Sequence, residues 1–120
     1  MKKNVVSFPP QRTDAPSASL DARLRFAIAN KRLIEFTYDG ALRVAEPHDY
    51  GLRDGSVKVL AFQRKKSGQQ TDDARGWRSL EVSKIEGCVV LEDMFRGTRG
   101  QAAQHHQEWD VLYARVDQTD

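Results

Sequence analysis

Leu33-Ile34-Glu35-Phe36-Thr37-Tyr38-Asp39-Gly40-Ala41-Leu42-Arg43-Val44-Ala45-Glu46 is the stretch in which the chain changes period. Ile34, Phe36 and Tyr38 alternate with Glu35 and Thr37, so one side of an extended segment is apolar, as a half-buried strand requires. Asp39-Gly40 accepts the positive φ angles of a tight hairpin turn. Leu42 to Glu46 is then the returning strand, with Leu42, Val44, Glu46 and His48 on one side and Arg43 and Ala45 on the other. Pro47 has no N–H for a ladder and is expected at a strand end or a sheet edge.

On the N-terminal side of this hairpin the period is that of a helix. Leu20, Leu24, Ala27 and Ile28 form one apolar stripe, while Arg23, Arg25, Lys31 and Arg32 lie mostly off it. Ser19 is the expected N-cap, with Asp21 in the first turn. Asn30 is expected in a left-handed position at the end. Residues 1–18 hold Pro9, Pro10 and Pro16 and read as a flexible leader, in which Val5, Val6 and Phe8 could dock as a short edge strand.

On the C-terminal side, Asp54-Gly55 marks a second turn and Val57 to Gln63 a third strand. Arg64 to Gly76 reads as a mobile polar loop. Trp77 to Val82 alternates again, and Cys88 to Leu91 is an apolar run suited to a strand buried on both faces. Met94 and Phe95 are placed to plug one end of a barrel, and Trp109 to Val116 to close the sheet as a last strand. The pattern predicts a mainly β chain: a small, strongly bent antiparallel barrel of five to six short strands, with one amphipathic helix at its rim. A single domain over residues 19–116 and a tail at 117–120 follow.

Composition narrows the function classes. The 120 residues are 39% hydrophobic and 30% charged, and no apolar run approaches the ~20 residues needed to cross a bilayer. Cys88 is the one cysteine, which rules out an internal disulfide and argues for a cytoplasmic protein. Its apolar neighbours make it a core residue rather than a reactive thiol. Residues 1–66 hold 13 basic and 7 acidic residues, a balance of +6, whereas residues 67–120 hold 6 and 10, a balance of −4. That asymmetry is what one basic face would need, although ordinary solvated surface charges are the simpler account of it.

The chemistry-bearing groups gather in Arg43-Val44-Ala45-Glu46-Pro47-His48-Asp49-Tyr50-Gly51 and in two later pieces, Gln63 and Trp77-Arg78. Arg43, His48 and Tyr50 supply a guanidinium fork, an imidazole and an aromatic face, a set suited to an anion or a base. The structural alternative makes Pro47 and Gly51 turn residues, Tyr50 a packing residue and Glu46 the partner of an arginine. Trp77 is either a stacking platform or a cover for the barrel end. His105-His106 has no cysteine or second spaced pair beside it, which argues against zinc. No nucleophile motif accompanies Glu46 and His48, so no catalytic residue and no cofactor is expected.

The frame Leu24-x-x-Ala27-Ile28, Ile34-x-Phe36-x-Tyr38, Arg43-x-x-x-Pro47, Gly55, Ala61-Phe62 and Arg78-x-Leu80-x-Val82-x-Lys84-Ile85 resembles the WYL domain family of bacterial regulators. The segment Glu46-Pro47-His48-x-Tyr50-Gly51, Gln63 and Trp77-Arg78 resemble the small stand-alone members. The resemblance spans about residues 20–95 and implies an Sm-like, SH3-type barrel that binds a nucleotide or single-stranded nucleic acid and regulates transcription. It implies ligand contacts at Arg43 and Arg78, with His48 and Tyr50 matching the small-protein subgroup. The tripeptide that names the family falls here at Val57-Lys58-Val59, and Glu81 stands where many members carry a second basic residue. The chain is too short for an added helix-turn-helix, so it is not expected to read a DNA major groove by itself. The full set of expected ligand contacts is Arg43, Glu46, His48, Tyr50, Gln63, Trp77 and Arg78, acting through a protein partner or a homo-oligomer and without a membrane. The alternative is a protein-interaction adaptor whose edge strands pair with a partner.

Overall fold

The computed structural model of the chain describes residues 5–6, 16–97, 99 and 108–117. Helix α1 (Pro16–Ala29) is followed by strands β1 (Arg32–Tyr38), β2 (Ala41–Arg53) and β3 (Ser56–Lys66). A short helix α2 (Thr71–Ala74) precedes β4 (Gly76–Glu81), a 3-10 turn (Val82–Lys84), β5 (Glu86–Met94) and β6 (Val111–Arg115). The protein is mainly β: six antiparallel strands in one sheet, in the order β4-β3-β2-β1-β5 with β6 paired to β2. Among the described residues no ladder joins β4 to β5, so the sheet is not closed.

Both Asp-Gly turns behave as their chemistry dictates. Asp39 and Gly40 have φ 49° and 77°, and Asp54 and Gly55 have φ 52° and 80°, each pair joining strands through a two-residue loop. The α1 stripe is buried as expected at Leu24, Ala27 and Ile28. Its ends differ from expectation. The helix begins at Pro16, where the missing N–H costs nothing, so Ser19 lies inside it and Asp21 beyond the first turn. Asn30 instead donates from Nδ2 to the Phe26 carbonyl, and Lys31 takes the left-handed conformation at φ 54°. Of the expected edge strand, Val5 bridges Leu91 and Val6 N–H donates to the Val90 carbonyl at 2.8 Å, while Phe8 lies outside the described residues.

The core lies between α1 and the inner face of the sheet. Ile34, Phe36 and Tyr38 of β1, Ala45 and Tyr50 of β2, Val59 and Ala61 of β3, and Leu80 of β4 line it. A fully buried side chain of the size of Phe36 contributes roughly 1.5–3 kcal/mol.

β2 departs most from expectation, because it does not stop at Pro47. From Arg43 to Arg53 it runs beside β3 on one edge, while the other edge is shared. β1 covers that edge as far as Ala45, and β6 covers it from Asp49 onward. Pro47 sits in the gap between the two, where no ladder asks for its N–H. Gly51 is not a turn residue either. A Cβ on it would lie 2.2 Å from the Val111 carbonyl oxygen, so glycine is what lets β6 approach.

The supposed loop after Gln63 is mostly regular, since β3 continues to Lys66 opposite Arg43 and α2 follows. Met94 is 60% exposed and plugs nothing, whereas Phe95 is buried. β6 forms where a last strand was expected, but it fills the edge of β2 rather than closing the sheet. His105 and His106 lie outside the described residues.

Candidate functional site

One extra residue in β2 sorts its polar side chains between the two faces. Pro47 pairs with Ala61 and Asp49 with Leu60, so His48 is a bulge with no partner of its own on β3. The bulge keeps Glu46 and Asp49 on the same, outer face and returns Tyr50 to the inner face beside Val59. A second irregularity, at Arg64, separates the pairs Val44–Lys65 and Ala45–Gln63.

At one end of the inner face, the structure joins three of the expected site residues in a single chain of hydrogen bonds. Arg43 donates from Nη1 to Gln63 Oε1 at 3.1 Å, and from Nη2 and Nε to the Tyr38 carbonyl at 3.0 and 3.3 Å. Gln63 donates from Nε2 to the Ala74 carbonyl at 2.6 Å. Arg78 reaches the same carbonyl from Nη2 at 3.4 Å and the Trp77 carbonyl from Nη1 at 3.0 Å. Gly76 makes room for this, because a Cβ there would lie 2.8 Å from Arg78 Nη1. Among the described residues neither Arg43 nor Arg78 meets a carboxylate within salt-bridge distance. Arg78 thus reaches α2 directly and Arg43, only 7% exposed, through Gln63; both donate to neutral oxygens, and Arg43 also lies over the Tyr38 ring at 5.1 Å. An anion arriving there meets an unbalanced positive potential in a partly dry setting.

The outer face holds a different cluster. Glu46 is buried and receives Arg64 Nε at 2.6 Å and Arg99 at 2.9 and 2.7 Å. Burial on its own would raise the Glu46 carboxyl, but the hydrogen bonds and charges of Arg99 and Arg64 outweigh it and hold the group below its ordinary range. Asp49, also buried, receives Arg115 Nε and Nη2 at 3.0 Å and Trp109 Nε1 at 3.1 Å. His48 is 0% exposed. Its ring lies edge-on to Trp77 at 4.8 Å and tilted on Phe95 at 5.1 Å. His48 Nδ1 lies 2.8 Å from the Glu46 carbonyl oxygen and Nε2 3.3 Å from that of Gly97. Half-buried Trp77 also meets Phe62 edge-on at 5.5 Å. Over the Phe62 ring stand Arg99 at 3.6 Å and Arg75 at 5.5 Å.

Tyr50 belongs to neither cluster. It is buried under α1, where its hydroxyl donates to Asp21 Oδ1 at 2.7 Å and its ring meets Tyr113 edge-on at 5.1 Å. Burial first, and then the bond to Asp21, pushes the phenol well above its ordinary range, so it stays protonated. The Cys88 thiol is pushed up to about 12 by burial, as a core cysteine would be.

The seven expected contacts therefore divide. Arg43, Gln63 and Arg78 form one unit, Glu46, His48 and Trp77 lie across the sheet from it, and Tyr50 braces the helix. Sequence reasoning passed over Phe62, Arg64, Arg75, Asp49 and Arg99, which complete the outer cluster. Phe62 beside Gln63 on an alternating strand was the one readable signal, because Arg99 falls in a segment without periodicity. Among the described residues no three His, Cys, Asp or Glu side chains are placed to hold a metal ion, and no helix is long and apolar enough to cross a membrane. No family model, curated protein or solved structure matches the chain.

Proposed function

We propose that the chain is a ligand-sensing regulatory module of the WYL type, with an Sm-like, SH3-type barrel, that binds an anionic ligand such as a nucleotide or a short single-stranded nucleic acid. The strand order and the 3-10 turn between β4 and β5 support the barrel reading. The observation that carries the ligand reading is the pairing of Arg43 and Arg78 through Gln63 and the Ala74 carbonyl, with no carboxylate on either among the described residues. The ligand's anionic group meets these two guanidiniums, and α2, whose last residue Arg78 addresses directly and Arg43 through Gln63, responds to it. Such a module acts in the cytoplasm and without catalysis of its own.

The test is fluorescence anisotropy with labelled oligothymidylate and with nucleotides, across a salt series. Wild type should bind one of them saturably and more weakly as salt rises. Arg43→Gln with Arg78→Gln should weaken that binding at least about tenfold, while circular dichroism confirms the fold. Undiminished binding by the double variant, or no salt-dependent binding by wild type, would sink the reading.

The complete burial of His48 and the burial of Tyr50 favour a second reading, in which the Glu-Pro-His segment is structural and the protein works through a partner protein.

A further inference from the structure

At the opposite end of β3 from Gln63, the inner face runs past the core and lines a cleft of about 890 Å³. Val57 stands two residues before buried Val59 and continues its face. Val82 opens the 3-10 turn, Ile85 follows it, and Cys88 of β5 extends the same apolar lining. Helix α1 contributes Leu20. The cleft lies where the sheet is open, since among the described residues no ladder joins β4 to β5. Its mouth is clear: a Cβ on Gly55 or Gly87, both of which line it, would meet nothing within 4 Å.

The walls stand without a ligand. The Tyr50 hydroxyl donates to Asp21 at 2.7 Å and Arg25 Nη1 to the Tyr113 carbonyl at 3.3 Å, which hold α1 to β2 and β6. Asp54 N–H donates to Asp110 Oδ2 at 2.9 Å and fixes the β2–β3 turn. Burial pushes the Cys88 thiol up although the charge of Arg23 acts the other way, as it would on a dry wall. Preformed, mostly apolar clefts of roughly 300–1,000 Å³ are where small molecules bind.

We infer that this cleft binds a small neutral molecule with an apolar body and a hydroxyl or carbonyl group, its body on Val57, Val82 and Ile85 and its polar group at Ser56 or Ser83. Both serines line the cleft, and neither hydroxyl is bonded among the described residues. The charges on the walls select a neutral ligand. Arg23 and Glu81 both line the cleft, so a carboxylate or phosphate drawn to one meets the other. Glu81 is already engaged by Lys84 at 3.6 Å, so a cation would have to break into a pair that is made. Either charge would also lose water against the apolar wall, a cost that a neutral molecule avoids. A peptide strand is the poorer fit, because backbone donors here are taken: Glu81 N–H donates to Tyr38 Oη and Ile85 N–H to the Val82 carbonyl, both at 3.0 Å. The inference stands without the anionic-ligand reading, since it uses neither Arg43 nor Arg78.

The experiment uses the full chain and N-phenyl-naphthylamine, a neutral dye whose emission rises in apolar surroundings. A saturable rise is expected. Anilinonaphthalene sulfonate, the same skeleton with one negative charge, should bind several-fold more weakly. Val57→Trp fills the cleft and should weaken the neutral dye at least about tenfold, and so should Ser83→Trp, at an exposed position that leaves the fold intact by circular dichroism. Arg43→Gln with Arg78→Gln should leave the affinity unchanged, so this result and that of the oligonucleotide test are separable. Three outcomes overturn the inference: no saturable rise, tighter binding of the sulfonate, or undiminished binding in every tryptophan variant that folds.

Discussion

Glu46 takes the structural alternative that the sequence offered, the partner of an arginine, but with arginines that its local sequence does not identify. Its neighbours in the chain are a proline and a histidine, but its partners, Arg64 and Arg99, lie 18 and 53 residues away. Alternation along a strand tells which side a residue faces; it does not tell which distant guanidinium will arrive. Here one buried carboxylate balances two arginines, each of which retains partial exposure. Glu46→Gln should therefore destabilise the protein by about 3 kcal/mol, read from urea unfolding at neutral pH. The sign with pH follows from the depressed folded value. The contribution is complete above the ordinary carboxyl value of 4.5 and is lost as pH falls below it toward the folded value, so the gap between wild type and variant should close in acid. A gap that stays constant down to pH 3 would show that folding does not lower the Glu46 carboxyl.

At the scale of elements, the hairpins and the helix were legible because their signals are local. Asp39-Gly40, Asp54-Gly55 and the stripe of Leu24, Ala27 and Ile28 need only a few residues to be recognised. β2 was not legible. Its passage through Pro47 depends on a gap between two partners, and its bulge at His48 depends on the register of β3. Gly51 marks the same problem from the other side, since its small size answers to a strand some sixty residues later. Gly51→Ala should push β6 off β2, at a cost of about 1–3 kcal/mol. Hydrogen exchange should then show lost protection over Val111–Arg115, with β1 and the β2–β3 ladder still protected. Intact protection in β6 would contradict the close approach.

For the whole molecule, the sequence supported a mainly β chain with a leading helix, and the structure has that. Among the described residues the basic side chains of the first 66 are not gathered on a single face: Arg43 is inside, whereas Arg64 lies on the outer face, spent on Glu46. Summed charge cannot foresee such sorting, because each side chain's fate depends on the face its strand turns outward. The division of the seven expected residues between the two faces was not legible, for the same reason. Cys88 offers a probe of the molecule as a unit. Burial pushes its thiol up to about 12, so in the native protein it should react with an alkylating reagent at least about tenfold more slowly than a free thiol at neutral pH. Labelling should accelerate with urea in step with unfolding. Full reactivity without denaturant would mean that β5 opens independently of the rest.

The salt bridge between Asp49 and Arg115 joins residues 66 positions apart. On a ribosome, β1, β2 and β3 can pair long before β6 exists, which leaves Asp49 on an uncovered strand edge with its charge unmet. Water can keep that carboxylate only while the edge stays open. The arrival of β6 replaces the water with a guanidinium, an indole N–H and a backbone ladder in one event. β6 is thus less a sixth strand than a closing step in time, and until it is made β2 stays half-solvated.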